Sequence, residues 1–221
     1  VNIMFKRFFE NIDYEKLDEK EFIKEGEQTK SNERIRKIAK NIYGDNNSVN
    51  SIIGIIYWIK EYFGHSKKDR EKLKFNRTAI EILENGYTGC SDFAILFETI
   101  AREKQIPTIH VQTVKKIYVQ KLQEGKETVT EGHHFCECYI KGKWILVDPI
   151  NEKILIDYDK NDFNIGKYYV FSKSTDIFET GIKRIKENNH KIEELFLDFD
   201  IKKFHPANDI GKNKDIEDVE R

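Results

Sequence analysis

Cysteine is scarce in this chain: there are three in 221 residues, an odd number that excludes a full disulfide framework. Two of them, Cys136 and Cys138, lie two apart in a segment that reads as strand. Both side chains would then fall on one face, where bridging geometry is poor. A reducing, cytoplasmic compartment is expected. An excess of one charge is also missing. Thirty-eight Lys and Arg face thirty-nine Asp and Glu, a formal charge of -1, so no long-range field points to nucleic acid or to an anionic membrane. Long apolar runs are absent too. The longest, residues 52–59, contains Gly54 and falls far short of the ~20 residues a membrane span needs. Residues 1–9 lead into Glu10, Asp13 and Glu15, which argues against a signal peptide, although a leader removed before Val1 would leave the same start. No repeat, low-complexity block, phosphate-binding loop, dinucleotide fingerprint or cation-binding loop is found.

What is present is a polar surface around an aromatic interior. Hydrophobic residues make up 38% and charged residues 35%, and fifteen Phe and ten Tyr can fill one sizeable core. Residues 1–48, dense in Lys and Glu with apolar positions at helical spacing (Phe5, Phe8, Phe9, Ile12; Ile35, Ile38, Ala39, Ile42), predict a two-helix extension with solvated faces. The main domain spans 49–206. Its apolar density predicts a buried helix over 49–63, and a basic loop follows over 65–74. A short helix over 78–84 is closed by Asn85-Gly86, and an apolar helix runs from Cys90 to about Lys104, stopped by Pro107. Beyond Pro107 the period changes. Segments 108–114, 116–122, 129–140, 143–147, 153–158 and 168–171 are rich in Val, Ile, Tyr and Thr and predict strands, with Gly125 and Gly142 at hairpin turns. Residues 175–199 read as helix, with Asp176 near the start, and 207–221 read as a disordered tail. Helices followed by consecutive antiparallel strands is the α+β pattern.

Three residues in this arrangement suit nucleophilic chemistry. Cys90 opens the buried stripe formed with Phe93, Ala94, Phe97 and Ala101, so its sulfur would point toward whatever packs on that stripe. A helix start offers unpaired N–H groups and a positive dipole end, both of which favour thiolate, and Gly89 would let the chain turn tightly there. Alone, such a cysteine is better explained as a small buried hydrophobe. The segment 132–149 then forms a hairpin. If Lys141-Gly142 is a two-residue turn, Ile140 faces Lys143, Phe135 faces Asp148, and His133 lies diagonally across from Asp148 on the same face. His134, Cys136, Cys138 and Ile140 fall on the opposite face. That alternation keeps the two His and two Cys from converging on one ion, so no metal or other cofactor is expected. Cys, His and Asp are what acyl transfer through a thioester needs: nucleophile, base, and the carboxylate that orients the base.

The stretch from Arg77 through Thr88-Gly89-Cys90 to Gln105-Ile106-Pro107 strongly resembles the core of the transglutaminase-like superfamily. There a Gly-Cys opens a helix and a Gly-Ile-Pro-like segment leads into a strand. The second block, His133 to Glu137 and then Trp144 to Pro149, resembles the family's Gly-His-Ala-Trp-x-Glu-Val and Trp-x-x-x-Asp-Pro. Setting the family glutamate on Glu137 puts the catalytic histidine at His133 and not at His134, the choice the hairpin register makes independently. The resemblance covers about residues 50–150 and implies a transglutaminase-like, papain-like core with a Cys90, His133 and Asp148 triad. It implies a protease- or amidase-type hydrolase, or a transglutaminase, acting on a peptide or protein amide.

The departures are Gln105 for Gly, and His134 and Phe135 for Ala and Trp, so the wall beside the histidine differs. The second oxyanion donor, beside the Cys90 backbone N–H, is not evident. Tyr87 is close enough in sequence to offer a hydroxyl, and packing is the competing role for its ring. The Arg-Gly-Gly-x-Cys run of arylamine N-acetyltransferases and the Cys-x-x-Cys zinc pairs of peptide:N-glycanases are both missing. A small-molecule acyltransferase, or a binding module that keeps the fold without turnover, are the alternatives. Substrate, acceptor and oligomeric state are not encoded legibly.

Overall fold

The computed structural model describes residues 12–64, 75–126 and 129–200. The helix expected around Phe5–Ile12, the basic loop at 65–74 and the tail from 207 lie mainly or wholly outside these. A 3-10 turn (Glu19–Ile23) precedes helix α1 (Glu33–Asn41), capped by the Asn32 side chain, which accepts from the Ile35 N–H at 2.9 Å. Helix α2 (Val49–Phe63) has Ser48 at its N-cap, and Ile52, Ile55, Ile56 and Ile59 form its buried stripe. Helix α3 (Ala79–Asn85) starts with a Thr78/Glu81 capping box and ends at Gly86, whose φ of 82° suits a residue without Cβ.

Helix α4 (Cys90–Glu103) is the centre of the molecule: every residue from Ser91 to Arg102 is buried. Strands β1 (Thr108–Lys115), β2 (Gly132–Ile140), β3 (Lys143–Asp148), β4 (Lys153–Leu155), β5 (Asn164–Ile165) and β6 (Tyr168–Ser174) form one sheet in the order β4-β3-β2-β1-β6-β5. All its pairings are antiparallel. The largest core lies between α2, α3 and α4 and the sheet residues Cys136, Cys138, Ile140, Ile145 and Val147. The residues of opposite parity, Val111, Phe135, Leu146 and Val170, join Tyr158 and Ile165 in a second cluster. The sheet is therefore buried on both faces, which is why β2 reads as an almost continuous buried run.

The α+β expectation, helices packed on an antiparallel sheet, holds. Four local expectations do not. Residues 116–122 form a helix, α5 (Lys116–Gln123), and not a strand. Ile117 and Val119 alternate as a strand would, but Tyr118, Val119 and Leu122 share one helical face, which packs on Tyr169, Ile192 and Phe196. Gly125 accordingly ends a helix, with φ of 66°, and turns no hairpin. The C-terminal helix, α6 (Ile185–Phe196), starts ten residues later than 175, because Gly181 in the left-handed region (φ 82°) separates it from a 3-10 turn at Phe178–Thr180. Gly89 is extended (φ -171°), a conformation any residue adopts, so it makes no tight turn.

Arg102 ties three parts of the chain together. Its guanidinium, near the end of α4, donates to the Phe22 carbonyl at 3.0 Å, the Thr29 hydroxyl at 2.6 Å, the Thr108 carbonyl at 2.8 Å and the Thr175 carbonyl at 2.6 Å. Replacing it leaves these buried acceptors without their donor. Arg102→Met is expected to cost at least about 3 kcal/mol of unfolding free energy in urea denaturation, and a loss below about 1 kcal/mol would refute the pinning role.

Candidate active site

Cys90 is the first residue of α4 and is partly exposed, in contrast with the buried Cys136 and Cys138; all three are free thiols. The loop before it is laced to the helix. Asp92, in the first turn and buried, accepts from the Thr88 N–H and the Thr88 hydroxyl, each at 2.7 Å, and from the Arg77 guanidinium. Arg77 also donates to the Gly86 carbonyl at 2.8 Å.

His133 and Asp148 reach each other through the hairpin. Lys141 and Gly142 both have positive φ (47° and 89°), as a two-residue type I′ turn requires, and the register runs from Ile140–Lys143 to Cys136–Val147. This is the expected register, and it sets His133 Nε2 2.9 Å from Asp148 Oδ2. Asp148 is steadied by Asn151, whose N–H and side-chain amide donate to it at 3.2 and 2.8 Å. The turn-forming and histidine-facing roles of Asp148 therefore coexist.

The His133 ring is also in hydrogen-bonding reach of the Cys90 thiol. With Nε2 facing Asp148, Nδ1 is the nitrogen left for sulfur. Phe135 packs edge-on to the imidazole at 4.7 Å between centroids, and Tyr168 of β6 stacks on it at 5.7 Å. Burial alone would drive the His133 proton off. The contacts with Asp148 and Cys90 outweigh it and push the histidine up to about 10.

His134, the neighbour the register turned away, joins a separate network. Its Nδ1 lies 2.8 Å from His110 Nε2, and His110 Nδ1 lies 2.6 Å from Glu98 Oε1 on α4. Burial, then the charges of His110 and His133, holds His134 well below its ordinary value. Tyr87 is buried, its ring packed edge-on between Phe63 (5.6 Å) and Phe93 (5.2 Å). Sequence reading did not single out Arg77, Asp92, Asn151 or Tyr168. An acidic residue in the first turn of an apolar helix was a usable signal for Asp92, and the Asp-Pro-x-Asn spacing one for Asn151. Tyr168 arrives by a long-range strand pairing that leaves no local mark.

The family model of the transglutaminase-like superfamily matches residues 36–149. The chain belongs to that superfamily. Among solved structures, one described as a "putative cysteine protease" from Cytophaga hutchinsonii shares the fold at a TM-score of 0.50 and 19% identity. The match covers 78% of this chain and 53% of that one, so this chain spans about half the length of that structure. No curated protein matches. Among the described residues no helix is long and apolar enough to cross a membrane.

Because His133 binds its proton more tightly folded (about 10) than its ordinary 6.5, protonation stabilises the fold. The contribution is full below pH 6.5 and is lost as pH rises through about 10. In Asp148→Asn the His133 midpoint, followed by NMR of the ring protons, should fall toward 6.5; a midpoint that stays near 10 would remove Asp148 as its partner.

Proposed function

We propose that this protein is a cysteine-dependent acyl-transfer enzyme, of protease or amidase type, in which Cys90 is the nucleophile, His133 the acid–base and Asp148 the group that orients it. The observation that carries the reading is the position of His133 between the Cys90 thiol and the Asp148 carboxylate, with its proton held to about pH 10. An imidazolium beside a thiol at a helix start favours the thiolate–imidazolium form. The thiolate attacks the amide carbonyl and an S–C bond forms. The oxyanion is met by the Cys90 backbone N–H; Tyr87, close in sequence, is the candidate for a second donor, in competition with the packing of its ring between Phe63 and Phe93. As the C–N bond breaks, His133 passes its proton to the leaving amine. Water, or a second amine in the transglutaminase variant, then gives its proton to His133 and attacks the thioester, releasing Cys90.

The substrate class that the family resemblance implies, a peptide or protein amide, is one on which this chemistry can act. Membership in the superfamily and the fold shared with the Cytophaga hutchinsonii structure support a cysteine-type enzyme. The chain's own residues supply the finer assignment.

Alkylation by iodoacetamide against pH tests the reading directly. Cys136 and Cys138 are fully buried, so Cys90 should be the residue modified, as peptide mass mapping verifies. The expected result is reaction that persists well below pH 7 and is lost in His133→Ala. Once an amide substrate is in hand, its turnover should have an alkaline limb near pH 10, because the imidazolium that protonates the amine is lost there. Alkylation that follows an ordinary thiol titration and ignores His133 would leave a binding module with this fold.

A further inference from the structure

Asp92 poses an electrostatic problem that the proposed mechanism does not by itself resolve. It lies two residues after Cys90 in the same helical turn, and one turn rises only about 5.4 Å. Side chains two apart on a helix do not face each other, but a carboxylate in the same turn as a nucleophilic sulfur still opposes the thiolate by its charge through a low-dielectric interior. Yet Asp92 cannot be dispensed with, because its Oδ2 accepts both polar hydrogens of Thr88 and so holds the loop that delivers Cys90.

Arg77 answers both demands. It enters from the segment before α3, pairs with Asp92 Oδ2, reaches the Thr88 hydroxyl at 3.3 Å and holds the Gly86 carbonyl at 2.8 Å. Both side chains are nearly enclosed, with 11% and 4% of their surface exposed. The Arg77 Nε is buried without a partner among the described residues, so the side chain is not held for a full set of hydrogen bonds. From the sheet side Cys90 meets His133 with Asp148 behind it. On its own helix and the loop before it stand Asp92 and Arg77, paired with each other. Asp148 and Asp92 are thus each paired with a cationic group.

We propose that Arg77 and Asp92 are a charge-cancelling pair of positioning residues for the nucleophile: Asp92 fixes the Thr88–Cys90 loop, and Arg77 hides the charge of Asp92 from the sulfur. This rests on Cys90 being the activated nucleophile and adds what keeps it so. A clamp that acts only by shape would be weakened by any change to either partner. A charge pair gives responses of opposite sign.

The test is the Cys90 alkylation rate at pH 6.5 in the full chain, with circular dichroism to confirm folding. Arg77→Met exposes the carboxylate and should slow the reaction roughly ten- to fiftyfold, while Arg77→Lys keeps most of the rate. Asp92→Asn retains an acceptor for Thr88 and leaves a cation near the sulfur, so it should react no more slowly than the unaltered protein. Adding Asp92→Asn to Arg77→Met should restore the rate. The differences should vanish near pH 10, where thiols are ionised in any case. An activated Cys90 with an unchanged rate in Arg77→Met, a slowed Asp92→Asn, or no restoration in the double variant would each overturn the pair while leaving the nucleophile intact. If Arg77→Met does not fold, the sign of the Asp92→Asn effect decides alone. Ordinary thiol reactivity in the unaltered protein would overturn the nucleophile reading, and the pair's role with it.

Discussion

The burial of α4 on every side is the constraint from which the rest of the structure follows. A helix enclosed from Ser91 to Arg102 has no solvent to satisfy its polar side chains, so its charged residues recruit partners from elsewhere in the chain. Asp92 recruits the loop before the helix and Arg77. Glu98 recruits His110 on β1 and the Cys136 thiol on β2. Arg102 recruits the N-terminal segment, the start of β1 and the end of β6. Thr99 turns back to its own helix, at the Ile95 carbonyl. The N-terminus of this helix is where it emerges, and Cys90 sits there, partly exposed. The scaffold and the candidate nucleophile are two consequences of one packing arrangement.

Strand β2 carries the second organising feature. Its alternation separates two adjacent histidines into different electrostatic settings. His133 meets Asp148 and holds its proton; His134 is enclosed with His110 and is driven toward neutrality. Keeping His134 uncharged spares His133 a like charge one residue away. Three residues beyond His134, Glu137 is fully buried and accepts from Tyr14 at 2.5 Å, Tyr158 at 3.0 Å and Lys173 at 2.5 Å. The glutamate that served to align the family motif is here a structural anchor for the N-terminal segment and β6. Motif membership and chemical role are separate properties of a residue.

The local signals that proved legible were those with few solutions. Two positive-φ positions at Lys141-Gly142 admit one turn family, and that turn sets the register of every pair back to Cys136–Val147. Gly86 after Asn85 closed α3 in the same way. Ambiguity arose where a short apolar pattern fitted two periods. Residues 116–123 satisfy strand alternation and a helical face alike, and contact with Tyr169 and Phe196, far along the chain, selected the helix. The delayed start of α6 has the same character, since a run with helical spacing continued through Gly181 until the backbone there turned left-handed.

The sequence by itself determined the α+β class, the helix that begins at Cys90, the hairpin register, and hence which histidine faces Asp148. All of these rest on side-chain periodicity and turn stereochemistry, which act over a few residues. Only the tertiary structure decided that Arg77 covers Asp92, that Asn151 and Tyr168 flank Asp148 and His133, and that Glu98, His110 and His134 form a chain beneath the sheet. These are contacts between elements, formed because a fully buried helix and a sheet covered on both faces must satisfy their polar groups with whatever the fold brings within reach.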